Sequence, residues 1–213
     1  NANAITLKDS AGVTKQSTTL EKGQVVTWNV NQGDRIESSG ACYAVTQGYG
    51  TAPWASLAYA GTVFTSFISR YGAYTPKIII ASVEGSAFVQ LKQDGNTLAY
   101  ANVGLNAIHE FNINLTDNKP ILNTSTKKIN AYFVSRSSGS GTYDKDARVL
   151  TPAATEVIGY AGYITAASDG TTGNYYQQNA TTGSISLNTN QYNYFNRTIY
   201  GDIGWASIVK ADK

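Results

Sequence analysis

Three stretches of this chain can be laid over one another, each a short strand-like run ending in a glycine turn, and this recurrence constrains the fold more than any other feature. Ile5-Thr6-Leu7-Lys8-Asp9-Ser10-Ala11-Gly12 lies over Ile79-Ile80-Ala81-Ser82-Val83-Glu84-Gly85 and over Ile164-Thr165-Ala166-Ala167-Ser168-Asp169-Gly170. After each turn come a polar strand and a second glycine, at Gly23, Gly95 and Gly183. Alternation of apolar and polar residues then resumes, as Val26-Thr27-Trp28-Asn29-Val30, Leu98-Ala99-Tyr100-Ala101 and Ile185-Ser186-Leu187-Asn188. That period of two belongs to a half-buried strand. We call this unit half-module A.

Half-module B follows the first two copies of A. Asp34-Arg35-Ile36 leads to Ala41-Cys42-Tyr43-Ala44-Val45, and Asn118-Lys119-Pro120-Ile121 leads to Asn130-Ala131-Tyr132-Phe133-Val134. Both continue through a Gly-rich loop, Gly48 to Gly50 and Gly139 to Gly141, to a Thr-Pro pair, Thr75-Pro76 and Thr151-Pro152. The order is A, B, A, B, A, and the chain stops at Ala211-Asp212-Lys213, where another B would start. Chance alignment of Ser/Thr/Gly-rich strands is the competing explanation. If the repeat is real, either the last A completes a second module or the native protein continues beyond Lys213. The chain has no methionine and starts at Asn1, so something upstream is expected to have been cut off or left out.

Composition sharpens the fold class. Charged residues are 14% of the chain, against roughly 25% in ordinary soluble domains. With 20 glycines, 15 tyrosines and few of the helix formers Glu, Lys and Leu, strands joined by tight turns are favoured. We expect an all-β protein of tandem antiparallel β-sandwich modules with internal repeats. Its 213 residues suffice for two sandwiches of ~100 residues each. The first is placed at 1–74 and the second at 75–213, with a further possible break near 152. The apolar phase of the strands puts Val26, Trp28, Val30, Tyr43, Val45, Ile79, Phe88, Leu98, Tyr132, Val134, Ile164, Leu187, Trp205 and Ile208 in the core.

Most chemistry is excluded by inventory. A net charge of +2 without Lys/Arg clusters argues against nucleic acid as a partner. The longest apolar runs, Ile78-Ile79-Ile80 and Phe64 to Ile68, fall far short of the ~20 residues needed to span a bilayer, so no membrane insertion is expected. Cys42 is the single cysteine, which rules out an internal disulfide, and a buried structural thiol is expected there. His109 is the only histidine, on an alternating strand where it shares a face with Phe111, and no Gly-x-Ser-x-Gly elbow accompanies it. One His and one Cys cannot supply a zinc site. Asp144-Lys145-Asp146 lacks the third carboxylate and the glycine spacing of a calcium loop, and Ser137-Ser138-Gly139-Ser140-Gly141 lacks the Lys-Ser/Thr ending of a phosphate loop. We expect no catalytic residues, no metal and no cofactor.

Aromatics are the remaining functional signal. Tyr175, Tyr176, Tyr192, Tyr194 and Phe195, set among Gln, Asn and Thr, form a candidate surface for a partner subunit or a glycan. The same residues could equally fill a β-core. Four Asn-x-Ser/Thr sequons, at Asn114, Asn123, Asn179 and Asn196, are no more than this composition produces by chance.

Short strands, Asp-Gly turns and the Asp117-Asn118-Lys119-Pro120-Ile121 lead-in to an expected core strand resemble the β-repeat domains of IgGFc-binding-protein-like extracellular proteins and of phage virion surface proteins. The first B departs from that pattern, having Asp34-Arg35-Ile36 without the proline. The resemblance implies display outside the cell or on a virion surface and no catalysis. The expected function is a structural or surface-display role, with self-association or other structural proteins of the same particle as partners. An extracellular glycan-binding adhesin module is the competing reading.

Overall fold

The structure, a computed structural model, describes residues 2–47, 51–68, 74–116, 119–137, 146–159, 163–177, 180–194 and 207–213. The protein is all-β: among these residues the only helical element is one 3-10 turn, Leu57–Tyr59. Among the described residues antiparallel pairing organises the strands into three main sheets and two two-stranded ribbons.

The first sheet is made of β1 (Asn3–Lys8), β2 (Thr14–Leu20) and β3 (Arg35–Ser38), in the order β2-β1-β3. Ile5 and Leu7 point inward from the central strand. The β1–β2 turn is closed by Asp9, whose carboxylate accepts from the N–H groups of Ala11 and Val13 at 2.9 Å each. Between β2 and β3 the chain has no regular structure. The strand expected at Val26–Val30 is therefore absent, with Val26 exposed and Trp28 only half-buried. β4 (Val45–Gln47) and β5 (Thr51–Pro53) pair with each other as a separate ribbon.

The central sheet is built on one 19-residue strand, β11 (Lys119–Ser137). Its N-terminal half lies between β6 (Gly61–Ile68) and β8 (Ala87–Gln93), with β9 (Asn96–Val103) outside β8. Its C-terminal half lies between β7 (Tyr74–Ser82) and β12 (Asp146–Leu150), with β10 (Ile108–Phe111) outside β7. The two halves meet at an irregularity between Thr124 and Ile129, where β11 gains residues relative to β6. Extra residues of this kind bend a strand. Inward residues of both halves share a single core, including Phe64, Ile78, Ile80, Val89, Leu91, Ile121, Ile129 and Ala131.

The third sheet contains β13 (Glu156–Gly159), β15 (Thr171–Gln177), β16 (Ala180–Leu187) and β18 (Ser207–Ala211), in the order β13-β18-β15-β16. β14 (Tyr163–Thr165) and β17 (Tyr192–Tyr194) pair as a ribbon beside it. Ile164, Ala166, Ile185, Leu187 and Val209 make a second core against which Tyr175 packs.

Several expectations change against this architecture. A boundary at 74 would cut the central sheet, since β6 hydrogen-bonds to β11 and β7 begins at Tyr74. The change from the central to the third sheet falls between β12 and β13, where Thr151-Pro152 lies. All three A copies contain a strand, a turn and a second strand, but their pairing differs: β1 pairs with β2, whereas β7 and β8 both pair with β11. In the third copy β14 pairs with β17 and β15 with β16.

The core list is also revised. Val134, Ile164 and Leu187 are buried, whereas Tyr43, Val45, Phe88 and Leu98 are exposed. Ile79, Val30, Tyr132 and Ile208 are half-buried, and Trp205 lies outside the described residues. In β7 the buried residues are Ile78 and Ile80, and in β8 they are Ala87, Val89 and Leu91, one position out of phase with the expected Ile79 and Phe88. Cys42 is exposed rather than buried, because Ala41 to Ala44 is not a strand.

Candidate binding surface

Side chains alternate across the β6–β11–β8–β9 half of the central sheet. Phe64, Ile121, Val89 and Leu91 point into the core, which turns Thr65 and Phe67 of β6, Leu122 of β11, and Phe88 and Lys92 of β8 to the opposite face. On β9 that outer face carries Leu98 and Tyr100, and the Phe88 and Tyr100 rings lie 5.9 Å apart. Tyr100 is 70% exposed and Phe88 42%. Leu98 is the extra residue of a bulge between the pairs Leu91–Ala99 and Lys92–Thr97. Among the described residues β9 has β8 as its hydrogen-bonded neighbour and lies at the end of the sheet order.

The β14–β17 ribbon rests on the same outer face. The Thr65 hydroxyl donates to that of Thr165 at 2.8 Å. Phe67 stacks on Tyr163 with ring centroids 3.7 Å apart and 14° between planes, and Tyr192 meets both rings, at 4.6 Å from Phe67 and 5.5 Å from Tyr163. Tyr163 and Tyr192 remain 40% and 42% exposed, so their outer edges form an aromatic ledge.

Beside the ledge a cleft of about 620 Å³ separates the end of the β8–β9 hairpin from the turn between β16 and β17. The hairpin turn is Asp94-Gly95, with φ of 53° and 78°, the paired positive values of a tight two-residue turn. On its side the cleft is lined by Lys92, Asp94, Pro120 and Leu122, and on the other by Asp169, Asn188, Thr189 and Asn190. Asn190 also borders a second hollow, of about 410 Å³, that reaches Tyr192.

The far wall is held by side-chain hydrogen bonds. One Asp169 carboxylate oxygen accepts from the Thr189 N–H at 2.8 Å and from the Thr189 hydroxyl at 2.9 Å. The Asn188 amide oxygen accepts from the Gly170 N–H at 2.8 Å. Asp212 fastens β18 to β15 in the same manner, accepting from the N–H and the hydroxyl of Thr172. Asp169 is held below the ordinary carboxylate range first by the Thr189 N–H, and Asp212 first by the Thr172 N–H. A carboxylate whose folded-state pKa is depressed contributes stability that is present above its unfolded value of ~3.9 and is lost as pH falls through the folded value. As the pH falls below the ordinary carboxylate range and through these depressed values, the Thr172 and Thr189 amides should therefore lose exchange protection, while the Ile129 and Ala131 amides of β11 keep theirs. Hydrogen exchange followed by NMR across pH 2.5 to 6, roughly the carboxylate window, checks this.

The five aromatic residues singled out from sequence do not form one surface. Tyr175 and Tyr176 lie half-buried on β15, and the Tyr175 ring covers Gly183, where an added Cβ would approach it to 2.5 Å. Tyr192 joins Phe67 and Tyr163 instead. Tyr194 pairs with Tyr163 through the backbone of the ribbon, and Phe195 lies outside the described residues. The residues missed from sequence are Phe67, Tyr163, Lys92, Asp94 and Asn190. The Asp94-Gly95 turn was a visible signal for part of this set. Nothing in the sequence indicates that it meets the Asn188–Asn190 turn.

His109 lies on β10 with its ring edge-on to Phe111 at 4.7 Å, the shared face expected of it. Residues 144 and 145 of the Asp144-Lys145-Asp146 segment lie outside the described residues. Of the sequons, Asn114 is exposed and Asn123 is fully buried, while Asn179 and Asn196 lie outside the described residues. Among the described residues no group of three or more His, Cys, Asp or Glu could hold a metal ion, and no helix is long and apolar enough to cross a membrane. Compared with known protein families, curated proteins and solved structures, the chain matches none.

Proposed function

We propose that this chain is a non-enzymatic structural or surface-display protein, a component of a virion capsid, tail or fibre or of a cell-surface assembly, that associates through its sheet edges with copies of itself or with other structural proteins of the same particle. Its place on this reading is extracellular or on a virion surface. The observation that carries it is the outer edge of the central sheet, where β9 presents Leu98 and Tyr100 beside Phe88. Edge strands are open templates for pairing, and proteins that stay monomeric blunt them with charge, proline or a covering element. β9, Asn-Thr-Leu-Ala-Tyr-Ala-Asn-Val, has no charged residue and no proline, and its bulge sits near the start, leaving Ala99 to Val103 in regular register. Antiparallel addition of a second β9 about a two-fold axis would join the two apolar patches into one.

A lysine at the centre of the edge supplies the missing charge. Tyr100→Lys should weaken self-association tenfold or more in sedimentation velocity while leaving the far-ultraviolet circular dichroism unchanged. Association of the variant at wild-type strength would remove β9 from the interface.

A further inference from the structure

We propose that the cleft between the β8–β9 hairpin and the β16–β17 turn is a binding site for a neutral oligosaccharide. This goes beyond assembly through β9, because it assigns the other end of the same sheet face to ligand recognition. At about 620 Å³ the cleft falls within the range of small-molecule sites.

Its polar groups are held in place and still have capacity to bond. One oxygen of Asp94 pairs with Lys119 at 2.8 Å, and one oxygen of Asp169 is taken by Thr189. The second oxygen of each carboxylate accepts no hydrogen bond among the described residues. The Lys92 amine and the Asn190 amide likewise have no side-chain partner among the described residues, so donors and acceptors face one another across the cleft. That mixture selects the ligand class. Asp94 is paired with Lys119 and Asp169 has Lys213 beside it, so neither carboxylate is left as an uncompensated charge to select an ion. A neutral polyol can donate hydroxyls to the carboxylates and accept from the amine and amide.

Half-buried Leu122 supplies an apolar spot on the wall for the C–H face of a sugar ring. Asn190 also borders the second hollow, which reaches the part-exposed Tyr192 ring, so a second ring of the same oligosaccharide has an aromatic contact there.

The test uses the full chain on a printed array of neutral, sialylated and sulfated oligosaccharides, followed by calorimetric titration of the strongest neutral one. The expected result is binding to neutral oligosaccharides that weakens at least tenfold in Asn190→Ala or Lys92→Ala with an unchanged thermal midpoint. Both substitutions leave the Asp169–Thr189 bonds intact, so folding is not at risk. Retention of acidic glycans alone, no retention at all, or neutral binding that both variants leave unchanged would each overturn the assignment.

Discussion

Phe64→Ala should lower the unfolding free energy by about 3–5 kcal/mol, the range for emptying a buried aromatic site. Phe64 has no exposed surface and lies on β6 opposite Asn123 of β11, with its ring in the core shared by both halves of the central sheet. A cavity there withdraws contacts from strands on both sides of the bend in β11, and close-packed β-branched neighbours such as Ile78, Ile80 and Ile121 cannot collapse fully into it. Phe88→Ala is the matched control. Phe88 is 42% exposed on the outer face, and its loss should cost about 1 kcal/mol or less. Urea titration of both variants reads the difference as a shift in midpoint at constant slope. Equal destabilisation would mean that the inward and outward faces of the sheet are misassigned.

The second large effect is expected at Gly173, where β15 lies against the backbone of β18 with no room for a side chain. An added Cβ would lie 2.2 Å from the Lys210 carbonyl oxygen and 2.8 Å from the Ala211 Cα. These are backbone atoms in register with Gly173, so no side chain can swing away to make room. Gly173→Ala must push β18 off β15 or distort the pairing, at the upper end of the about 1–3 kcal/mol typical of overpacking or above it. β18 also pairs with β13, so the damage should spread across the third sheet. Amide exchange should show lost protection at Val209 and Asn174, with the central-sheet amides of Ile129 and Ala131 unaffected. Gly85→Ala, with nothing within 4 Å of the added carbon, is the companion change expected to be near neutral. Wild-type protection at Val209 in the Gly173 variant would contradict the close approach.

The all-β class follows from chemistry that sequence displays directly: glycine turns, β-branched runs and scarce helix formers. The phase of individual strands does not. Ile78-Ile79-Ile80 offers no alternation, so parity cannot be read from it, and the structure buries the outer two. In β8 the large Phe88 draws attention from the smaller Ala87 and Val89, which face the core. β11 was hidden because Asn123 to Lys128 is a polar stretch that reads as a break, whereas in the fold it marks the bend of one strand serving two sets of neighbours. The aromatic ledge was partly visible in Tyr192 and invisible in Phe67 and Tyr163, which share no local pattern and meet only because the β14–β17 ribbon lies on β6.

The molar mass of the purified chain, followed by static light scattering over a wide concentration range, bears most directly on the assembly role. The expected result is a mass that exceeds the 22.8 kDa of one chain and rises with concentration or settles at a stable oligomer. A mass that stays at that of a single chain at every concentration would contradict self-association through β9.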